Sequence, residues 1–75
     1  MIINSAEIQQ TKEWVEVNVK HGNKTFDISI VTVNGKVVGD YKQMSTSYLS
    51  YFHEVSDRVR KQHFKAIKEY IEANV

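Results

Sequence analysis

The dipeptide Asn34-Gly35 lies between Val31-Thr32-Val33 and Val37-Val38, and it constrains what this chain can fold into more than any other feature. Two successive residues that tolerate positive φ fit the tight turn whose twist matches that of the strands it joins. Asn-Gly between apolar runs is therefore the strongest short-range hairpin signal in a sequence. A two-residue loop at this point pairs Val33 with Lys36, Thr32 with Val37, Val31 with Val38, Ile30 with Gly39 and Ile28 with Tyr41.

A second turn is written at His21-Gly22-Asn23-Lys24, between the strict alternation of Trp14 to Lys20 and that of Phe26 to Ile30. Period-two alternation marks half-buried strands, and glycine and asparagine supply the turn. Loops of two or four residues here give the same register: Val19 with Phe26, Val17 with Ile28, Val15 with Ile30, Trp14 with Val31. The two hairpins, solved separately, place Val15, Val17, Val19, Phe26, Ile28, Ile30, Val37 and Tyr41 on one face. A one-residue slip in either would destroy that agreement. This face is the expected core.

The opposite face carries an apolar row, Trp14, Val31 and Val38, bordered by Glu16, Ser29 and Asp40, with Lys42 beyond. An exposed apolar row marks a binding or dimer surface, unless the N-terminal segment folds back over it. Residues 2 to 11 read either as a fourth strand or, through Asn4 and Glu7, as a capped short helix; the strand is favoured.

Ser45, Thr46 and Ser47 offer a choice of helix N-cap, and from Tyr48 onward neither glycine nor proline interrupts. One long helix is expected, with Tyr48, Phe52, Val55, Val59, His63, Ala66, Ile67, Tyr70 and Ala73 on the stripe that covers the sheet. Phe64 and Ile71 fall off that stripe. They would be explained by packing on the N-terminal segment, by self-association, or by a bend near residues 56 to 62. The expected fold is α+β: a three- or four-stranded antiparallel meander under a long C-terminal amphipathic helix, straight or bent into two, in one domain over residues 1–75.

Composition limits the chemistry. In 75 residues there is room for one core, and the folding free energy scales to roughly 4 to 11 kcal/mol, little for carving a deep catalytic pocket. Ten basic against nine acidic residues leave a net charge of +1, neither an acidic mimic of DNA nor a strongly basic binder. The absence of cysteine removes disulfides and thiolate metal sites and fits a reducing compartment. The start has no basic leader and no run is long enough for a bilayer, so a cytoplasmic protein is expected.

Among three histidines only His53 has a partner at helical spacing, Asp57, too few for a zinc site. His63 reads as a core-edge histidine bonded to tyrosine or backbone. The serines lack nucleophile-elbow glycines, and no glycine-rich loop leads into a helix. No catalytic residue, cofactor, metal or small-molecule substrate is expected. Arg58, Arg60, Lys61, Lys65 and Lys68 form a locally basic stretch that could meet phosphates, diluted by Glu54, Asp57, Glu69 and Glu72, several of them at i,i+4 spacing for ion pairs.

Val33-Asn34-Gly35-Lys36, then Val38-Gly39, then Ser45 six residues on, resembles two families. Phe26 to Leu49 resembles the second half of the double-stranded-RNA-binding domain. This chain departs from it in Thr46 and Ser47, where that family has a phosphate-gripping lysine pair, and in Tyr41 and Gln43, where it has glycines. Gly22, Asn34-Gly35-Lys36, Val38-Gly39, Ser45-Thr46 and Leu49 also resemble small anti-CRISPR proteins that inhibit the type I-F surveillance complex, across about half the chain. That likeness implies a four-stranded sheet with a helical C-terminus and a phage inhibitor of a host defence protein. The positions with which such an inhibitor grips its target fall on Ser5, Val19 and Ile30, so its target does not transfer.

The expected function is a non-enzymatic protein-binding module, a phage or mobile-element inhibitor, docking a host or phage protein through Trp14, Val31 and Val38 with Glu16, Ser29, Asp40 and Lys42 as rim. The alternatives are nucleic-acid binding through the basic stretch and a homodimer of about 17 kDa, twice the 8.7 kDa chain, as for a two-fold pair.

Overall fold

The computed structural model describes residues 1–74. Five strands form one antiparallel sheet: β1 (Ile2–Glu7), β2 (Trp14–His21), β3 (Lys24–Val33), β4 (Lys36–Val37) and β5 (Ser45–Thr46). The order is β1-β2-β3, with β4 and β5 sharing the far edge of β3. The helices α1 (Tyr51–Glu54) and α2 (Asp57–Ala73) follow.

The register of the first hairpin is the one read from its turn, from Trp14 opposite Val31 to His21 opposite Lys24. The second holds for two pairs, Thr32 with Val37 and Val33 with Lys36, and Val38 N–H still donates to Val31 O at 3.1 Å. Asn34 and Gly35 take φ of 52° and 80°, as a tight turn of this hand requires.

Beyond Val38 the meander fails. Gly39 turns to φ 80°, and Tyr41–Gln43 winds a single 3₁₀ turn capped by Asp40, whose side chain accepts from Lys42 N–H while Gln43 Oε1 accepts from Asp40 N–H. The chain then returns to β3 as β5, setting Thr46 opposite Ile28 and Ser45 opposite Ser29. The expected pairs Ile30–Gly39 and Ile28–Tyr41 are thus replaced, and Tyr41 packs on the core edge from the turn.

β1 confirms the strand reading of the N-terminal segment. It pairs with β2 as an edge strand, with a register irregularity at Asn4, and does not fold over the outer face. Irregularities of this kind twist an edge away from stray pairing.

The helix is broken. Ser45, Thr46 and Ser47 do not cap it: Ser47 exchanges hydrogen bonds with Asp27, accepting from Asp27 N–H through Oγ and donating its own N–H to Asp27 O. Ser56 caps α2 by accepting from Val59 N–H, after Val55 leaves the helix with extended backbone. The break rotates α1 so that Tyr51 and Val55 are buried while Phe52 is exposed. α2 buries His63, Ile67 and Ile71, one turn apart, and leaves Ala73 exposed. Ile71 therefore belongs to the core, and Phe64 packs against it.

The core is the inner sheet face closed by these helices: Val15, Val17, Val19, Phe26, Ile28, Ile30 and Val37 against Tyr51, Val55, Ile67 and Ile71, with Met44 filling in from the excursion. Burying side chains of this size stabilises by about 1.5 to 3 kcal/mol each. Among the described residues no helix is long and apolar enough to cross a membrane.

Gly39 is the hinge of the departure. A Cβ there would collide with the Gln43 side-chain oxygen, displacing the amide that accepts from Asp40 N–H, and would strain a left-handed φ. Gly39→Ala should cost about 1 to 2 kcal/mol in urea denaturation; a loss below about 0.5 kcal/mol would show the excursion tolerates an ordinary residue.

Candidate functional site

Because one helical layer covers one face, the other face of the sheet is left to solvent. It divides into bands across the strands. On one band Asn4 Nδ2 donates to Asn18 Oδ1 at 3.0 Å, and Asn18 Nδ2 donates to Asp27 Oδ1 at 2.8 Å. That relay links three strands and ends on a carboxylate.

The next band opposes two like charges, Glu7 and Glu16. Lys12 Nζ reaches Glu7 at 2.6 Å and Gln9 also donates to it, which leaves Glu16 without an ion pair or hydrogen bond among the described residues. Ser29 and Ser45 continue this band.

Then comes the apolar row. Trp14 is 52 % exposed, Val31 38 % and Val38 39 %, and Val33, two residues along β3, is 54 % exposed. These four are half of the eight large apolar side chains exposed among the described residues. Shallow depressions flank Val31: one of about 270 Å³ between Trp14, Ser29, Gln43 and Ser45, and one of about 390 Å³ bounded by the 10–13 loop and the end of β3.

The expected rim changes. Asp40 and Lys42 do not lie on the sheet, because Gly39 carries them into the 3₁₀ turn, where Asp40 is the cap and the Lys42 ammonium lies 6.0 Å from the Tyr41 ring centre. Gln43 and Ser45 occupy the position beside Ser29 instead. Val33 belongs to the patch although the expected set omitted it. Its parity with Val31 was the available signal.

The basic stretch is also reduced. Arg60 is not a surface cation: its side chain is 11 % exposed, Nη1 donates to Phe52 O at 3.0 Å and Val55 O at 2.6 Å, and Nη2 pairs with Asp57. It closes the C-terminal end of α1, whose last carbonyls need donors. Arg58, Lys61, Lys65 and Lys68 stay on the exposed side of α2. The expected i,i+4 ion pairs are not among those formed; Glu54 meets Lys24 at 3.7 Å instead.

His53 and Asp57 lie on opposite sides of the helix break, and Asp57 is taken by Arg60. His63 is 3 % exposed, shares a 2.9 Å hydrogen bond with Tyr51 Oη and meets the His21 ring edge to face at 4.7 Å. Burial, then the nearby His21 and α-amino charges, push its pKa from 6.5 down to about 4. Burial, partly offset by Arg60, raises Tyr51 to about 12. Among the described residues no three His, Cys, Asp or Glu side chains converge as a metal site would need. This cluster is packing.

Compared with known families, curated proteins and solved structures, the chain matches none. The face must be read from its own residues.

Two outcomes follow from these contacts. His63 is neutral when folded but takes a proton more readily when unfolded, so stability falls as pH drops from about 6.5 to about 4 and then levels. Its share is roughly 3 kcal/mol. Thermal melts from pH 7 to 4 should show a smaller decline for His63→Leu than for the wild type; equal declines would refute the assignment. Arg60→Ala should destabilise by about 1 to 3 kcal/mol, read in urea, because it strips donors from the carbonyls at the end of α1; a loss within the scatter of a surface substitution would mark Arg60 as a free cation.

Proposed function

We propose that this chain is a small protein-binding module whose docking surface is the outer sheet face centred on Trp14, Val31, Val33 and Val38. The observation that carries the reading is the half-exposed Trp14 beside three exposed valines, on a face whose other half carries the asparagine relay. Tryptophan is enriched among the few residues that dominate binding energy, and apolar anchors ringed by polar groups are the anatomy of interfaces. Glu16, Ser29, Ser45 and Gln43 supply the rim. Shallow depressions suit a protein surface better than a small substrate, which needs a site that encloses most of it.

A nucleic-acid reading has one observation in its favour: Arg58, Lys61, Lys65 and Lys68 share the exposed side of α2. Glu69 and Glu72 follow on the same helix, and the engagement of Arg60 with the α1 carbonyls and Asp57 weakens it further. Affinity for phosphates would fall steeply with salt, whereas docking through an apolar row would not.

Immobilised wild-type chain and a Trp14→Ala variant should be compared in extracts of the source cells. Proteins held by the wild type should be lost from the variant by tenfold or more, about 1.4 kcal/mol, while circular dichroism shows the variant folded. Equal retention by both would refute the docking surface.

A further inference from the structure

The charges around the apolar corner carry information about what covers it. Take Val31 as the centre. Trp14 lies one strand to one side; Val33 lies two residues along β3 toward the Asn34-Gly35 turn. Glu16, on the Trp14 strand, pairs with Ser29, two residues farther from that turn than the Trp14–Val31 level, and Lys36, on the other side of β3, lies opposite Val33. Glu16 and Lys36 are thus at opposite corners, both exposed, and neither has an ion pair or hydrogen bond among the described residues. Lys36 borders a depression with Glu72 without pairing to it.

Strands are about 4.8 Å apart and same-face residues about 6.8 Å apart along a strand, so exchanging the two directions offsets neighbouring side chains by about 2 Å, within the reach of a side chain. A two-fold axis lying in the interface through Val31, along one diagonal of this grid, exchanges the along-strand and cross-strand directions. It sets Trp14 of each copy over Val33 of the other, Val31 on its own equivalent, and Glu16 of each copy against Lys36 of the other. The second diagonal would set Glu16 against Glu16 and Lys36 against Lys36. Of the two diagonals only the first pairs opposite charges while keeping Trp14 on an apolar partner; an axis along β3 would also match apolar residues, Trp14 over Val38, but would leave Glu16 and Lys36 without each other. The first diagonal makes the strands of the two sheets cross near a right angle, an established mode of sheet packing.

We infer that the occupant of this face is a second copy of the chain, in an isologous dimer with crossed sheets and two Glu16–Lys36 pairs. The inference rests on the docking reading above and names its partner. One patch meeting itself about a two-fold axis is the commonest way for a small protein to bury an apolar surface. The small footprint makes the dimer weak, with a Kd on the order of micromolar to millimolar.

The chain has no cysteine, so introduced thiols report contacts cleanly. Light scattering should show the mass rising from 8.7 kDa toward about 17 kDa with concentration, as a two-fold pair requires. Under mild oxidation Val31→Cys should crosslink to itself, whereas Lys20→Cys, on the same face but far from the axis, should not. Glu16→Lys and Lys36→Glu singly should each weaken association about tenfold, and the double variant should restore it. A chain that stays monomeric to millimolar concentration would overturn the second copy, and a dimer indifferent to both reversals, or a Lys20→Cys crosslink as fast as that of Val31→Cys, would overturn the crossed dimer inferred here. If the monomeric chain still captures another protein in a Trp14-dependent way, the docking surface stands and only its occupant is wrong. If neither association depends on Trp14, both readings fall.

Discussion

The ladder between β2 and β3, eight residue pairs from Trp14↔Val31 to His21↔Lys24, is the interaction on which the rest of the molecule depends. Side chains alternate across a sheet with a period of two, so this one register decides which valines enter the core and which residues meet solvent. Val15, Val17 and Val19 go in together because Phe26, Ile28 and Ile30 do. Trp14 then has no choice but to stand outside, beside Val31. The exposed tryptophan is a consequence of parity, and the helices cannot reach it without crossing the sheet.

What could be read before folding follows from how local each cause is. A turn of two residues and an alternation of seven are written in adjacent positions, so both hairpins and the inner face were legible, and so was the edge strand at the N-terminus. Gly39 defeated the reading because glycine is permitted in a strand as well as at positive φ. Only the fit of the returning segment, with Ser45 and Ser47 bonded to β3, decides between them. The serines misled for a related reason: a hydroxyl that can cap a helix can equally bind a strand's N–H groups. The helix break was visible as the misfit of Phe64 and Ile71 to a single stripe. Its location at Val55-Ser56 came from Tyr51, which turns inward to meet His63.

The candidate surface was legible to the same depth. Trp14, Val31 and Val38 follow from register, and they lie where the register put them. The rim did not, since Asp40 and Lys42 were assigned by extending a strand that ends at Val37. Arg60 was missed for a different reason. Its charge looks like part of a basic helix face, and nothing nearby in sequence announces that its guanidinium will fold back onto the carbonyls of Phe52 and Val55. An arginine can leave the surface when the ends of two helices meet at it, because its forked donors satisfy several acceptors at once.

The two halves of the outer face answer the same physical demand differently. Near the first turn, Asn4, Asn18 and Asp27 are hydrogen-bonded across three strands, and a partner covering that polar region would have to offset its desolvation. Near the second turn the described residues form no such relay, and Trp14 and three valines lie between a glutamate and a lysine that have no ion pair among the described residues. Removing that apolar corner from water is favourable in proportion to its area, and any surface that covers it has to accommodate the two charges beside it. A small domain with one helical layer must leave one sheet face open; this chain has closed half of that face with its own hydrogen bonds. The half it leaves apolar is where binding energy can be gained.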